Sequence, residues 1–98
     1  MIIQYHPLVK QDIAEAIDYL DAHSIFAGQK FEAEIASLIP AMATMPARYS
    51  PYRGSPIFRR AKLPTFPYLV IYRIIPNGIR VTVLKHEKRH PNYGMTRW

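Results

Sequence analysis

The spacing of apolar residues changes once along this chain, and the change falls at a proline-rich break. Before residue 46 apolar side chains recur at helical intervals, as Val9, Ile13, Ala16, Ile17 and Leu20, then as Phe31, Ile35, Leu38, Met42 and Met45. After residue 56 the pattern shortens to period two or becomes continuous. Ile57–Leu63, Tyr68–Ile74 and Ile79–His86 are rich in β-branched and aromatic residues. Between the halves lie Pro46, Pro51, Gly54 and Pro56, a surface connection. A helical layer followed by runs of strands can bury both apolar faces only by stacking one layer on the other.

The start of the chain extends this reading. Ile2–Tyr5 reads as a short strand closed by His6-Pro7, and Pro7 suits the first turn of a helix, where its missing N–H is not needed. This helix is expected to end near His23-Ser24, with Asp12, Glu15 and Asp18 on a solvated face. The second helix is expected to run to about Ile39, because Pro40 deletes one backbone hydrogen bond; a kinked or separate turn then reaches Pro46. Pro76-Asn77-Gly78 marks a hairpin between the last two strands. The order is β-α-α-β-β-β, an α+β fold with a helical hairpin packed on a mostly antiparallel sheet, residues 1–98 forming one domain. Alternation places Ile79, Val81 and Val83 on one face of the last strand and Arg80, Thr82, Leu84 and His86 on the other. The run Tyr68–Ile74 is apolar on both sides, so the face away from the helices is covered by something else or used.

Composition narrows the chemistry. The 98 residues contain no cysteine, which excludes disulfides, cysteine-ligated metal centres and a cysteine nucleophile. The longest uncharged stretch, 35–47, carries two prolines and is shorter than a membrane span of ~20 residues, and residues 1–6 lack a basic leader pattern, so a cytoplasmic protein is expected. The net charge of +6 is unevenly placed. Residues 1–47 hold two lysines against six acids, whereas residues 48–98 hold eleven basic residues against Glu87 alone. Such a half attracts phosphates or acidic protein, or else serves as a solubilising face.

Arg59, Arg60, Lys62, Arg73, Arg80, Lys85, Lys88 and Arg89 all lie on or just after predicted strands. Arg60 and Lys62 share a face, and Arg73, Arg80 and His86 are expected near one another. Clustered guanidinium groups bind phosphates or carboxylates bidentately. His86 is either a hydrogen-bonded strand end or a general acid–base. Tyr93 and Trp98 either stack on bases or anchor the chain end to the core, the anchor being preferred. His86 and His90 lack the further ligands a zinc site needs, and no glycine-rich phosphate loop is present, so no metal or cofactor is expected.

Three segments carry a resemblance: Arg59-Arg60-Ala61-Lys62-Leu63, Phe66-Pro67-Tyr68-Leu69-Val70-Ile71-Tyr72-Arg73, and Ile79 through Pro91. With the pattern F-P-Y-x-x-x-Y and the ending H-x-x-R-x-P (His86, Arg89, Pro91), the chain resembles the RelE/ParE superfamily of toxins from type II toxin–antitoxin systems, which include plasmid-stabilising pairs. The two signatures point to the ParE-like branch, whose members inhibit DNA gyrase and cleave nothing themselves. The resemblance implies target binding by Arg59, Arg60, Lys62, Arg73, Arg80 and Arg89. The RelE-like branch, which cuts messenger RNA on the ribosome, implies instead a catalytic set of Arg60, Lys62, His86, Arg89 and Tyr93. Against that set, Leu69 stands where those nucleases carry an arginine, and Met95 where they carry a tyrosine, with Tyr93 close by. The resemblance further implies a cognate antitoxin with an acidic, partly disordered C-terminal segment that covers the basic side of the sheet.

Overall fold

A computed structural model describes all 98 residues, with β1 (Ile2–Tyr5), α1 (Val9–Asp21), α2 (Ala27–Thr44), a 3-10 turn (Pro46–Arg48), β2 (Phe58–Lys62), β3 (Tyr68–Ile75) and β4 (Gly78–His86). The order and the α+β class are those expected from the pattern. The sheet is mixed, in the order β1-β4-β3-β2, with β1 parallel to β4 and the other pairs antiparallel. β3 and β4 meet at a two-residue turn in which Asn77 takes φ of 64°, a left-handed conformation that asparagine tolerates well. Gly78 has a different reason to be glycine. It pairs with Ile2, and a Cβ there would come within 1.8 Å of the Ile2 carbonyl oxygen.

The two helices cover one face of the sheet. Phe31, Ile35, Ile39 and Met42 of α2 and Val9 and Ala16 of α1 pack on Tyr68, Val70, Tyr72, Ile79 and Val81. Burying these apolar side chains drives the assembly. Phe31 meets Phe66 and Tyr68 edge to face, at 5.5 and 5.1 Å between ring centroids. Tyr72 is fully buried and donates its hydroxyl to the Pro46 carbonyl at 2.6 Å, and burial pushes its phenol up to about 12. That bond ties the central strand to the end of the helical hairpin.

Four local expectations are corrected. First, α2 does not stop at Ile39 but continues through Pro40 to Thr44. Pro40 and Ala36 are both exposed, so the carbonyl released by the missing N–H faces water, while buried Ile39, Met42 and Ala43 hold the last turn on the core. Second, Ile39 and Ala43 join the buried stripe, against which Leu38 packs half-buried, and Met45 is exposed outside it. Third, α1 ends at Asp21, two to three residues before the expected boundary near His23-Ser24. Fourth, the faces of β4 exchange partway along. Tyr72 pairs with Val81 but Ile71 pairs with Val83, which leaves Thr82 as an extra residue, a β-bulge. Beyond it Val83 faces away from the helices and Leu84 faces them, the reverse of strict alternation.

Candidate functional site

The face of the sheet away from the helices is built in cross-strand rows. Phe58, Arg73 and Arg80 form one row, Arg60, Ile71 and Val83 the next, and Lys62, Leu69 and Lys85 the last. Its apolar centre is a second small core of Tyr52, Leu69, Ile71 and Val83, closed by Phe58, Tyr93 and Met95. The apolar character of both sides of β3 is thus explained: helices cover one side, and the segments before β2 and after β4 cover the other.

The segment after β4 is held by a buried clasp at the bulge. β1 ends at Tyr5, and the His6 N–H takes the Val81 carbonyl at 2.8 Å. Past that point the outer edge of β4 has no neighbouring strand, and side chains complete it. Asp12 of α1 accepts the Leu84 N–H at 3.1 Å, and Arg97 donates to the Thr82 carbonyl at 3.1 Å. Arg97 and Asp12 form an ion pair at 2.6 Å with their side chains 9% and 2% exposed, and Tyr93 donates its hydroxyl to Asp12 at 2.8 Å. The Asp12 hydrogen bond raises the Arg97 pKa, and burial followed by the Asp12 hydrogen bond raises that of Tyr93. Asp12 is therefore buried and paired, not on a solvated helix face. Its place in the apolar stripe, three residues after Val9 and four before Ala16, was a signal available in the sequence.

The basic residues separate into distinct environments. The Arg59 guanidinium turns toward the connection after α2 and donates to the Tyr49 carbonyl. Lys62 reaches the carbonyls of Leu63 and Phe66 at 3.3 and 3.4 Å. Arg73 and Arg80, paired across β3 and β4, each donate Nε–H to the Trp98 carbonyl at 3.0 Å, and Arg73 stacks over the Trp98 ring at 4.3 Å. Arg73 and Arg80 do not lie near His86, as was expected from their positions on the strands. They pair at one end of the β3–β4 ladder, whereas His86 pairs with Tyr68 at the other.

Two open clefts flank the segment after β4, and Arg89 lines both. The first, about 280 Å³, lies between α1 and the end of β4, and its walls include Asp12, Tyr19, Tyr68, His86 and Tyr93. His86 packs edge to face on Tyr68 at 5.2 Å and accepts the Lys88 N–H on Nδ1 at 3.0 Å. Burial raises the Tyr68 phenol pKa, with nearby Tyr19 adding to it. The second cleft, about 390 Å³, is walled by Arg53, Arg60, Arg89, Glu87, Tyr52 and Leu69. The five residues of the alternative catalytic set are thus split: His86, Arg89 and Tyr93 line the first cleft, Arg60 shares the second with Arg89, and Lys62 closes a loop. Lys85, expected only as one of the basic set, lines the first cleft, while Arg53, which lines the second, and Arg97, which pairs with Asp12 beside the first, were not among the expected residues. Trp98 lies edge to face with Phe58 at 6.0 Å, and Arg89 stacks over Tyr93 at 3.9 Å, so both aromatics anchor the final segment.

The family model described as ParE toxin of type II toxin-antitoxin system, parDE, matches residues 3–91. A chain in a solved structure of the chromosomal ParDE TA system from P. aeruginosa is similar with a TM-score of 0.75, covering 88% of this chain and 95% of that chain at 12% identity. At that identity the likeness is one of fold. No curated relative matches the sequence.

Proposed function

The chain belongs to the ParE toxin family of type II toxin–antitoxin systems, and on that footing we propose that it arrests growth by binding DNA gyrase and that a cognate antitoxin neutralises it. Residues 1–98 act as one domain in the cytoplasm, and neither cofactor nor metal takes part. The observation that carries binding rather than cleavage is Leu69. It stands where the messenger-cutting relatives carry an arginine, and here it is 7% exposed inside the second apolar core. Loss of one well-placed charge donor commonly lowers a rate by about 10²–10³. Tyr93, the other group such chemistry would need, has its hydroxyl committed to Asp12 and Arg97.

Among the six basic residues expected to meet the target, Arg60, Lys62 and Arg89 are exposed, Lys62 resting on the Leu63 and Phe66 carbonyls and Arg89 on the Tyr93 ring, whereas Arg59, Arg73 and Arg80 are half-buried and engaged by carbonyls of the chain. The antitoxin is read as an acidic, partly disordered segment laid along this basic side, with association that slows as salt rises. The deciding experiment sets gyrase supercoiling against cleavage of message on translating ribosomes, with the same purified toxin in both assays. Inhibited supercoiling with intact message is the expected result; ribosomal cleavage with unaffected gyrase would move the chain to the nuclease branch.

A further inference from the structure

The cleft between the Tyr52–Ser55 turn and the segment after β4 collects three arginines against a single acid. Arg53, Arg60 and Arg89 line it, and the guanidinium groups of Arg53 and Arg60 have no hydrogen-bond partner within the molecule. Glu87 is its only acid, and it forms no ion pair, since Arg97–Asp12 is the one salt bridge in the structure. Arg53 is presented by a tight turn: the Ser55 N–H bonds the Tyr52 carbonyl at 2.9 Å, with φ of 49° at Arg53 and 75° at Gly54. A further cation, which lines the neighbouring first cleft, is held by residues of this one. Lys85 is 3% exposed, and its ammonium is held by the carbonyls of His90 and Pro91 at 3.3 and 3.0 Å and by the Tyr52 ring at 4.7 Å. Tyr52 and Pro91 also line the cleft. Buried charges are ordinarily paired with an opposite charge. This one is held by carbonyl dipoles and a ring face, with no acid in an ion pair with it.

We propose that this cleft is a binding site for a phosphate group, held by Arg53, Arg60 and Arg89. Arginines from a turn (Arg53), a strand (Arg60) and the segment after β4 (Arg89) line the one cleft, and several guanidinium donors suit the tetrahedral oxygens of a phosphate, whereas a planar carboxylate is served by one fork. The volume exceeds that of a bare phosphate, and Leu69 and Pro91 supply an apolar wall for the rest of the molecule. The ligand class is therefore a phosphate ester, either a free nucleotide or one unit of a nucleic-acid backbone. The inference does not depend on whether gyrase is the target.

The test is an NMR titration of the full chain at low ionic strength with inorganic phosphate, a nucleoside monophosphate and a short single-stranded oligonucleotide, reading the arginine Nε–H signals. Movement of the Arg53, Arg60 and Arg89 signals with saturation is the expected result. Arg60→Gln should weaken binding about tenfold, while Lys10→Gln, which removes the same charge from α1, should leave it within about twofold. Tighter binding of the oligonucleotide assigns the ligand to nucleic-acid backbone, and comparable binding of the monophosphate assigns it to free phosphate esters; both support the site. Equal losses in the two variants would mean diffuse charge attraction and would overturn it. So would silence of these three arginines toward all three phosphates, or a glutamate-rich peptide occupying the cleft where phosphates do not.

Discussion

At the scale of single residues, the Asp12 carboxylate meets four donors: the Leu84 N–H, the Tyr93 hydroxyl and two nitrogens of Arg97. Asp12→Asn keeps an acceptor for Leu84 while removing the charge opposite Arg97. Breaking a buried pair from one side commonly costs about 3–5 kcal/mol, and urea unfolding of the variant should show a loss of that order. A loss below ~1 kcal/mol would mean that the clasp contributes little to the fold. His6 supplies a pH dependence at the same place. Its Nδ1 accepts the Leu8 N–H at 3.1 Å, and burial, then Arg97 and Arg80, lower its pKa below the ordinary 6.5 against an opposing contribution from Asp12. The unfolded chain thus takes up a proton more readily than the folded one, so stability is present above pH ~6.5 and declines as pH falls below it. The melting temperature should decline on that side, and His6→Gln should flatten the decline.

At the scale of elements, the parallel pairing of β1 with β4 depends on the absence of a side chain at position 78. Gly78→Ala sets a methyl group against the Ile2 backbone, which cannot yield as a side-chain tip would. The expected loss is on the order of 3 kcal/mol. Hydrogen exchange should localise it: protection should fall for the Ile2 and His6 amides, which bond the Asn77 and Val81 carbonyls, and persist across β3 and β4. Full protection of β1 in the variant would contradict the account. The bulge at Thr82 acts at the same scale. By exchanging the faces of β4 it sends Val83 to the second core and Leu84 to the first, and the Thr82 carbonyl and Leu84 N–H that lie beyond β1 are those taken by Arg97 and Asp12.

At the scale of the whole molecule, the sheet is a wall between two unequal cores, and the segment after β4 closes the smaller one. Removal of residues 93–98 would uncover Leu69, Ile71 and Val83 and leave Asp12 without Arg97. The truncated chain should bind a hydrophobic dye and melt well below the intact one; an unchanged melting curve would mean that this segment lies on the sheet without stabilising it. The sequence by itself determined the order of elements, the helical hairpin, the turn at Asn77 and the concentration of basic residues after residue 48, because each follows from local periodicity, turn chemistry or composition. The basic cleft was only partly legible: Arg60 and Arg89 were candidates, while Arg53 acquires its role from the turn that presents it. The continuation of α2 through Pro40, the exchange of faces at Thr82, the burial of Asp12 and the distance between His86 and the Arg73–Arg80 pair were decided by tertiary structure. Each depends on what lies across space rather than along the chain: water beside Ala36, an edge of β4 that β1 is too short to cover, and an arginine 85 residues away.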